Sequence, residues 1–109
     1  MTDGALTILW QFTAKAGKEQ EFEEVYGAAG DWARLFRKAD GYLGSELYRS
    51  RQGPRRYLVI DRWRSPDAFE RFRISWGEQY RALDKRCEEL TEQEAHLGDF
   101  SQVPPRRAR

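Results

Sequence analysis

The sequence contains an acid and a tryptophan two residues apart, Asp61 and Trp63. Together these two side chains could take part in a reaction. In a strand, residues two apart project from the same face, so a carboxylate would stand beside a large aromatic ring. Such a carboxylate could act as a general base, and the ring could line a pocket that excludes water. Asp61 could equally pair with one of the many arginines while Trp63 fills the core or a dimer interface. The spacing leaves both interpretations open.

A second group of candidates is Glu92, Glu94 and His96, which includes the only histidine of the chain. On a strand these three side chains would share one face and resemble two carboxylates and an imidazole around a metal. Metal ligands usually converge from separate elements, however, and acids at strand ends are commonly just solvated. We therefore predict no metal site here and a structural or ion-paired role for His96.

Large aromatic side chains are the third feature: the chain has four Trp, five Tyr and six Phe. Many recur with helical spacing, which is the pattern of a dense core and equally that of a lined cavity. Cys87 falls in register with Leu83 and Leu90, which predicts a buried structural thiol rather than a nucleophile. The predicted substrate pocket consists of Tyr26, Trp32, Phe69, Phe72, Trp76 and Tyr80, with Trp10 and Phe36 in the same aromatic set.

The elements that must position these residues follow from periodicity and turn signals. Asp31 can cap a short second helical piece, and Ser65-Pro66-Asp67 is typical of a helix start. The order is β-α-β-β-α-β, the ferredoxin-like α+β arrangement with an antiparallel sheet and helices on one face. The predicted strands are residues 5–13, 42–49, 57–64 and 91–100; helical segments run over 17–29, 31–39 and 66–90, the last with a bend at Gly77.

The third strand has apolar groups on both of its faces. Tyr57, Val59 and Trp63 alternate with Leu58 and Ile60. One face can pack under the helices, and the other must find a different cover. Pairing of two sheets would satisfy that need, so we predict a homodimer joined through the exposed sheet face.

Length and composition limit the remaining possibilities. The 109 residues allow one domain, predicted over 1–100, followed by a flexible tail over 101–109 with two prolines and three arginines. A net charge of +1 gives no reason to expect nucleic acid or an anionic membrane as a partner. A basic amino-terminal region and a long apolar run are both missing, and the single Cys87 fits a reducing compartment, so we predict a cytoplasmic protein. Without a dinucleotide fingerprint or P-loop, we expect no cofactor.

Three segments follow one another in a characteristic order: Lys15–Glu19 with Phe22, then Gly41–Gly44, then Tyr57–Phe69. They resemble the start of the first helix, the entry to the second strand and the junction between third strand and helix in the antibiotic-biosynthesis monooxygenase family. The resemblance covers roughly residues 5–100. It implies a dimeric α+β barrel with a pocket between sheet and helices. In such pockets relatives oxidise quinols or aromatic polyketides with O₂, without metal or flavin, while others degrade haem or have no demonstrated activity.

The sequence departs from the family at several functional positions. The haem-degrading branch relies on an Asn, a Trp and a His, and this chain contains no Asn. The polyketide-oxidising branch has an Asn four residues before the Trp and a Tyr six after it, where this chain has Val59 and Phe69. Many members have a His at the position of Phe72. Only Trp63 carries over.

We therefore predict a cofactor-free monooxygenase that acts with O₂ on a small aromatic, quinol or polyketide-type substrate. Its substrate must itself give an electron to O₂, so the protein needs only a base and an apolar pocket. The alternative is a non-enzymatic homodimer that binds an apolar ligand or a partner protein. An open pocket holding an ionisable group favours the first function, and a filled core favours the second.

Overall fold

The structure is a computed structural model and describes residues 4–106. This part of the chain contains four strands and four helices. In chain order they are β1 (Leu6–Ala14), α1 (Glu19–Tyr26), α2 (Asp31–Phe36), β2 (Tyr42–Arg49), β3 (Arg56–Trp63), α3 (Pro66–Ser75), α4 (Gly77–Cys87) and β4 (Thr91–Ser101). Ser101, the first residue of the predicted tail, pairs with Leu6 in the sheet. Residues 102–106 have no regular structure. Residues 1–3 and 107–109, which the predicted domain and tail include, lie outside the described residues.

The strands form one antiparallel sheet in the order β2-β3-β1-β4. The predicted ferredoxin-like α+β fold is confirmed. Strand β2 has the predicted bounds, β1 and β3 each differ by one residue, and the predicted bend near Gly77 is the break between α3 and α4. The hydroxyl of Ser65 accepts a hydrogen bond from the Ala68 amide (3.1 Å), which confirms the cap of α3.

The predicted cap of the second helical piece is wrong. Asp31 is the first helical residue of α2, and the capping position belongs to Gly30. The Asp31 carboxylate instead accepts hydrogen bonds from Arg34 (2.8 Å) and from Arg86 of α4 (2.6 Å). The two arginines compete with the free backbone amides of α2 for the Asp31 carboxylate. One of the arginines, Arg86, comes from a distant part of the chain.

The two faces of the sheet differ as the alternation in β3 predicts. Tyr57, Val59 and Trp63 are buried beneath the helices, whereas Leu58 and Ile60 on the opposite face are only partly buried. The helix-covered face continues on β1 with Ile8 and Phe12, and it forms the core together with aromatic residues of the helices. The Cys87 thiol is buried there as well, as its helical register predicts.

Gly41, just before β2, brings the backbone against the start of α3. Its φ is +94°, and a Cβ on it would lie 2.6 Å from the Cβ of Ala68. The Arg64 amide donates a hydrogen bond to the Gly41 carbonyl (2.6 Å), so the approach is held by the backbone itself. A side chain at this position must therefore push α3 away from β2.

We predict that Gly41→Ala lowers the free energy of unfolding by about 2–3 kcal/mol, through left-handed backbone strain and the clash with Ala68. Gly17→Ala is the matched control, because Gly17 has a φ of +84° but open space around its Cβ position. Strain alone should cost about 1 kcal/mol there. Urea unfolding followed by tryptophan fluorescence measures both. Equal losses in the two variants would show that the close approach to Ala68 does not matter.

Candidate functional site

A cavity of about 120 Å³ lies between the sheet and the helices. Its walls are mainly aromatic, and all of its charged lining groups are acids. The strands contribute Trp10, Phe12, Val59, Asp61 and Glu94, and the helices contribute Tyr26, Trp32, Phe36, Tyr80 and Asp84. The aromatic residues therefore line an open cavity at this place. The sequence had equally allowed a completely filled core.

Asp61 reaches this cavity from the helix-covered face of β3, directly opposite Ser45 of β2 in the sheet register. The Ser45 hydroxyl donates a hydrogen bond to Oδ1 of Asp61 (2.5 Å). The Ser45 and Tyr42 hydroxyl oxygens are 2.7 Å apart. Because a serine has one proton to donate, the Tyr42 hydroxyl must donate to Ser45 in this chain of bonds. Among the ion pairs within residues 4–106, none involves Asp61, so the expected alternative of an arginine partner does not occur there.

Burial raises the pKa of the Asp61 carboxyl from 3.8 to about 6, although the Ser45 hydrogen bond acts in the opposite direction. At neutral pH the group is mostly ionised, yet it is a stronger base than an ordinary aspartate. A general base works best when its pKa lies near the operating pH. The site can thus take a proton from an acidic hydroxyl or C–H group of a molecule in the cavity.

Glu94 and Asp84 are exposed carboxylates at the same cavity, on β4 and α4. Partial burial raises the pKa of Glu94, and the negative charges of Asp84 and Glu88 add to that rise. Within residues 4–106 neither Asp84 nor Glu94 takes part in an ion pair, whereas the neighbouring Glu92 is paired with Arg55 (3.2 Å). The cavity therefore keeps three carboxylates that are not neutralised by a cation of the described chain.

Tyr26, Trp32 and Tyr80 of the predicted pocket line the cavity, but Phe69, Phe72 and Trp76 do not. Phe69 and Phe72 pack against Trp63, with ring centroids 5.3 Å away in each case. The Trp76 ring lies beneath the Lys38 ammonium, 5.4 Å from its centroid. Phe72 belongs to the buried core, and the partly buried rings of Phe69 and Trp76 pack against it.

Trp63 shares the strand face of Asp61, as the two-residue spacing requires, but has different surroundings. It is completely buried and does not line the cavity. Its ring packs against Phe36, Phe69 and Phe72, and its Nε1–H has no acceptor among the described residues. Of the two tentative catalytic residues, the structure brings only Asp61 to the cavity.

The three candidate metal ligands on β4 do not converge. The pairing of β4 with β1 is irregular between Thr13 and Ala14, which separates Glu92 from the regular alternation of Glu94 and His96. The Glu92 carboxylate forms an ion pair with Arg55. His96 lies 2.7 Å from Oδ1 of Asp99 and its ring is 4.9 Å from the Trp10 ring. Over residues 4–106, the structure holds no group of three His, Cys, Asp or Glu residues placed to bind a metal.

The predicted pocket omits Asp84 and Glu94, the latter named only among the candidate metal ligands, although the sequence contains a signal for both. Asp84 lies four residues after Tyr80 in one helix, which places both on the same side. Glu94 pairs with Phe12 across the β1–β4 ladder. Ser45 becomes visible only when the register of the β2–β3 hairpin is known, because that register sets it opposite Asp61.

Residues 5–86 match the family model described as antibiotic biosynthesis monooxygenase. The chain belongs to this family. A search of proteins of curated function gave no match.

Solved structures give the same fold. SnoaB, a cofactor-independent oxygenase from Streptomyces nogalater, is 27% identical over 94% of this chain and 96% of its own, with a TM-score of 0.72. PA3566 from Pseudomonas aeruginosa is 20% identical over 95% of this chain and 99% of its own, with a TM-score of 0.68. Rv0793 from Mycobacterium tuberculosis is 19% identical over 97% of this chain and 100% of its own, with a TM-score of 0.65. No helix within residues 4–106 is both long and apolar enough to span a membrane.

We predict that Asp61 makes stability fall as pH rises. Its folded pKa of about 6 exceeds the ordinary 3.8, so between these values the folded protein holds a proton that the unfolded chain has lost. Relative to Asp61→Asn, the wild-type free energy of unfolding should drop by roughly 2–3 kcal/mol between about pH 4 and pH 7. Urea unfolding across that range measures the difference.

Ser45→Ala provides a second readout of the same environment. Removing the donor destabilises the ionised carboxylate, so the Asp61 pKa should move further upward, as followed by the carbon-13 shift of its carboxyl group. A wild-type minus Asp61→Asn difference that stays flat with pH would contradict a raised pKa.

Proposed function

We propose that this protein is a cofactor-independent monooxygenase that uses O₂ to oxidise a small aromatic, quinol or polyketide-type substrate in the cavity. The observation that carries this proposal is Asp61, a partly buried carboxylate with a raised pKa and no ion-pair partner among residues 4–106, at the wall of an aromatic cavity. The 27% identity to SnoaB over nearly the whole chain supports the same class of reaction.

The first step is removal of a proton. The Asp61 carboxylate takes the proton of a substrate hydroxyl, and the resulting phenolate is rich enough in electrons to reduce O₂ by one electron. Aromatic walls around the anion keep water out, so the radical pair stays together. Trp10, Phe12, Trp32 and Tyr80 form most of that wall.

The second step forms the carbon–oxygen bond. Superoxide joins the substrate radical at a ring carbon, giving a peroxide that takes up the proton held by Asp61. Loss of the remaining hydrogen on that carbon breaks the O–O bond and releases water. A phenol plus O₂ thus gives a quinone plus water: one oxygen atom enters the product, the other leaves as water, and no further reductant is needed.

Trp63 has a positioning role in this proposal. Its ring packs edge-on against Phe36, whose centroid is 5.4 Å away, and Phe36 is part of the cavity wall. Shortening the Trp63 side chain would loosen the wall from behind. It would not remove a group that touches the substrate.

A second candidate function is ligand binding without turnover. Val59 lines the cavity at the position where the resemblance to the polyketide-oxidising branch implies an Asn. An apolar group there favours the binding of an apolar ligand and supplies no hydrogen bond to a reacting oxygen. Turnover by the wild-type protein is what separates the two functions.

We further propose that the protein is a homodimer joined through the sheet face opposite the helices. Leu9 and Ile60 are directly paired at the centre of that face, and Leu58 lies beside Tyr48, which is 50% exposed. Gln11 and the Glu46–Arg62 ion pair border this apolar group on the same face. An exposed apolar patch with a polar rim is typical of a protein–protein interface. Pairing two such sheets would cover it.

We predict slow oxygen uptake with an easily oxidised hydroquinone, without added flavin, metal or nicotinamide. Asp61→Asn should reduce the rate by about 10²–10⁴-fold, because the base is lost while its shape is kept. An oxygen electrode, with heat-inactivated protein as the blank, measures this.

Glu70→Gln, an exposed acid of α3, is the control and should keep the wild-type rate. Trp63→Phe should lower the free energy of unfolding by about 1–3 kcal/mol and affect the rate less than Asp61→Asn does. Wild-type uptake equal to the blank would favour the binding function, and uptake unchanged in Asp61→Asn would remove Asp61 as the base.

We predict a dimer of about twice 12.9 kDa by sedimentation equilibrium at micromolar concentration. Ile60→Glu should give a folded monomer, because it places a charge at the centre of the sheet face. The control is Ile74→Glu, since Ile74 is 76% exposed on α3, on the helix side. A wild-type monomer, or a dimer that survives Ile60→Glu, would contradict this interface.

A further inference from the structure

The cavity combines aromatic walls with a one-sided charge. Its ten lining residues include Asp61, Asp84 and Glu94 but no lysine, arginine or histidine. Basic side chains contact the wall from outside the lining: the guanidinium carbon of Arg73 lies 5.8 Å from the Tyr80 ring centroid, and the His96 ring lies 4.9 Å from the Trp10 ring. A carboxylate-bearing ligand would therefore meet only like charges among the lining residues.

The volume limits the size of the ligand. A dry engineered cavity of about 150 Å³ holds benzene, which sets the scale for one aromatic ring. The cavity here, at about 120 Å³, is smaller. One ring fits if its substituents extend toward the opening, whereas a three- or four-ring system does not fit between these walls.

The lining groups are arranged along the depth of the cavity. Asp61 is partly buried, whereas Asp84 and Glu94 are exposed and therefore lie at the opening. Between them the wall is aromatic, with Trp32 among its rings. A ligand could thus place a hydroxyl at Asp61, an aromatic ring against the walls and a cation at the two outer carboxylates.

We propose that the substrate is a single-ring phenol or hydroquinone that carries an ammonium group on a short chain and bears no acidic group. Its ring lies in the aromatic cavity with the hydroxyl toward Asp61, and its ammonium group lies between Asp84 and Glu94. The oxidation of this substrate rests on the proposed function, but the selection of the substrate by its charge and size does not.

Three probes with the same ring and chain length test the charge preference by isothermal titration calorimetry near pH 7.5. Tyramine is a cation, 4-ethylphenol is neutral and 4-hydroxyphenylacetate is an anion. We expect tyramine to bind at least about tenfold more tightly than 4-hydroxyphenylacetate, with 4-ethylphenol between them. Equal affinities, or no binding of any probe, would overturn the proposal.

Variants locate the source of the preference. In Asp84→Asn/Glu94→Gln the Kd values of tyramine and 4-hydroxyphenylacetate should come within about threefold of each other. The matched control, Glu78→Gln/Glu89→Gln, removes the same charge from exposed positions that do not line the cavity and should keep the wild-type ratio. An equal change in both double variants would show a general charge effect and overturn the proposed position of the ammonium group.

A three-ring amine, 9-anthracenylmethylamine, tests the size limit, since it has the charge of tyramine and a larger ring system. It should not displace tyramine, and displacement would overturn the single-ring assignment. Oxygen uptake with 4-(2-aminoethyl)catechol is measured separately. A tyramine preference without any uptake would contradict the proposed function and support the charge selection.

Discussion

The Asp61 carboxylate lies on the side of the sheet that the helices cover, where an ionised group without a partner is costly. The protein meets this cost with the Tyr42 and Ser45 hydroxyls rather than with an arginine, although the chain has many arginines. A hydroxyl stabilises the anion only partly, so the pKa remains raised and the group remains a usable base. The aromatic rings beside it line a cavity of about 120 Å³ and do not close over the carboxylate.

The pleat of β3 connects this site with the rest of the molecule. Successive side chains point to opposite faces, so the residues that alternate with Val59 and Asp61 must be directed away from the helices. Leu58 and Ile60 are among them, and they form the apolar face proposed to join two copies. A shift of one residue in the register of β3 would move Asp61 out of the cavity and expose the core. The site and the proposed interface therefore depend on the same pairing.

Much of the fold was accessible from local patterns because local physics controls those features. The Ser65-Pro66 start of α3 depends on a side chain and a backbone amide three residues apart. Alternation in β3 depends on backbone geometry alone. The prediction for Asp31 failed because Arg86, which is 55 residues away in the sequence, offers its carboxylate a charged partner. No pattern within α2 contains that information.

The sequence by itself determined the order of elements, the faces of the strands, and the fact that Asp61 and Trp63 project the same way. Only the tertiary structure decided that Asp61 adjoins open space while Trp63 is enclosed by packed rings. The reason is that a position on a sheet is filled or left open by helix residues distant in the sequence. Phe36, Phe69 and Phe72 close the region around Trp63. Trp32 and Tyr80 pack against each other, with ring centroids 5.2 Å apart, but the rings near Asp61 leave a cavity beside it, and the periodicity of the helices is the same in both places.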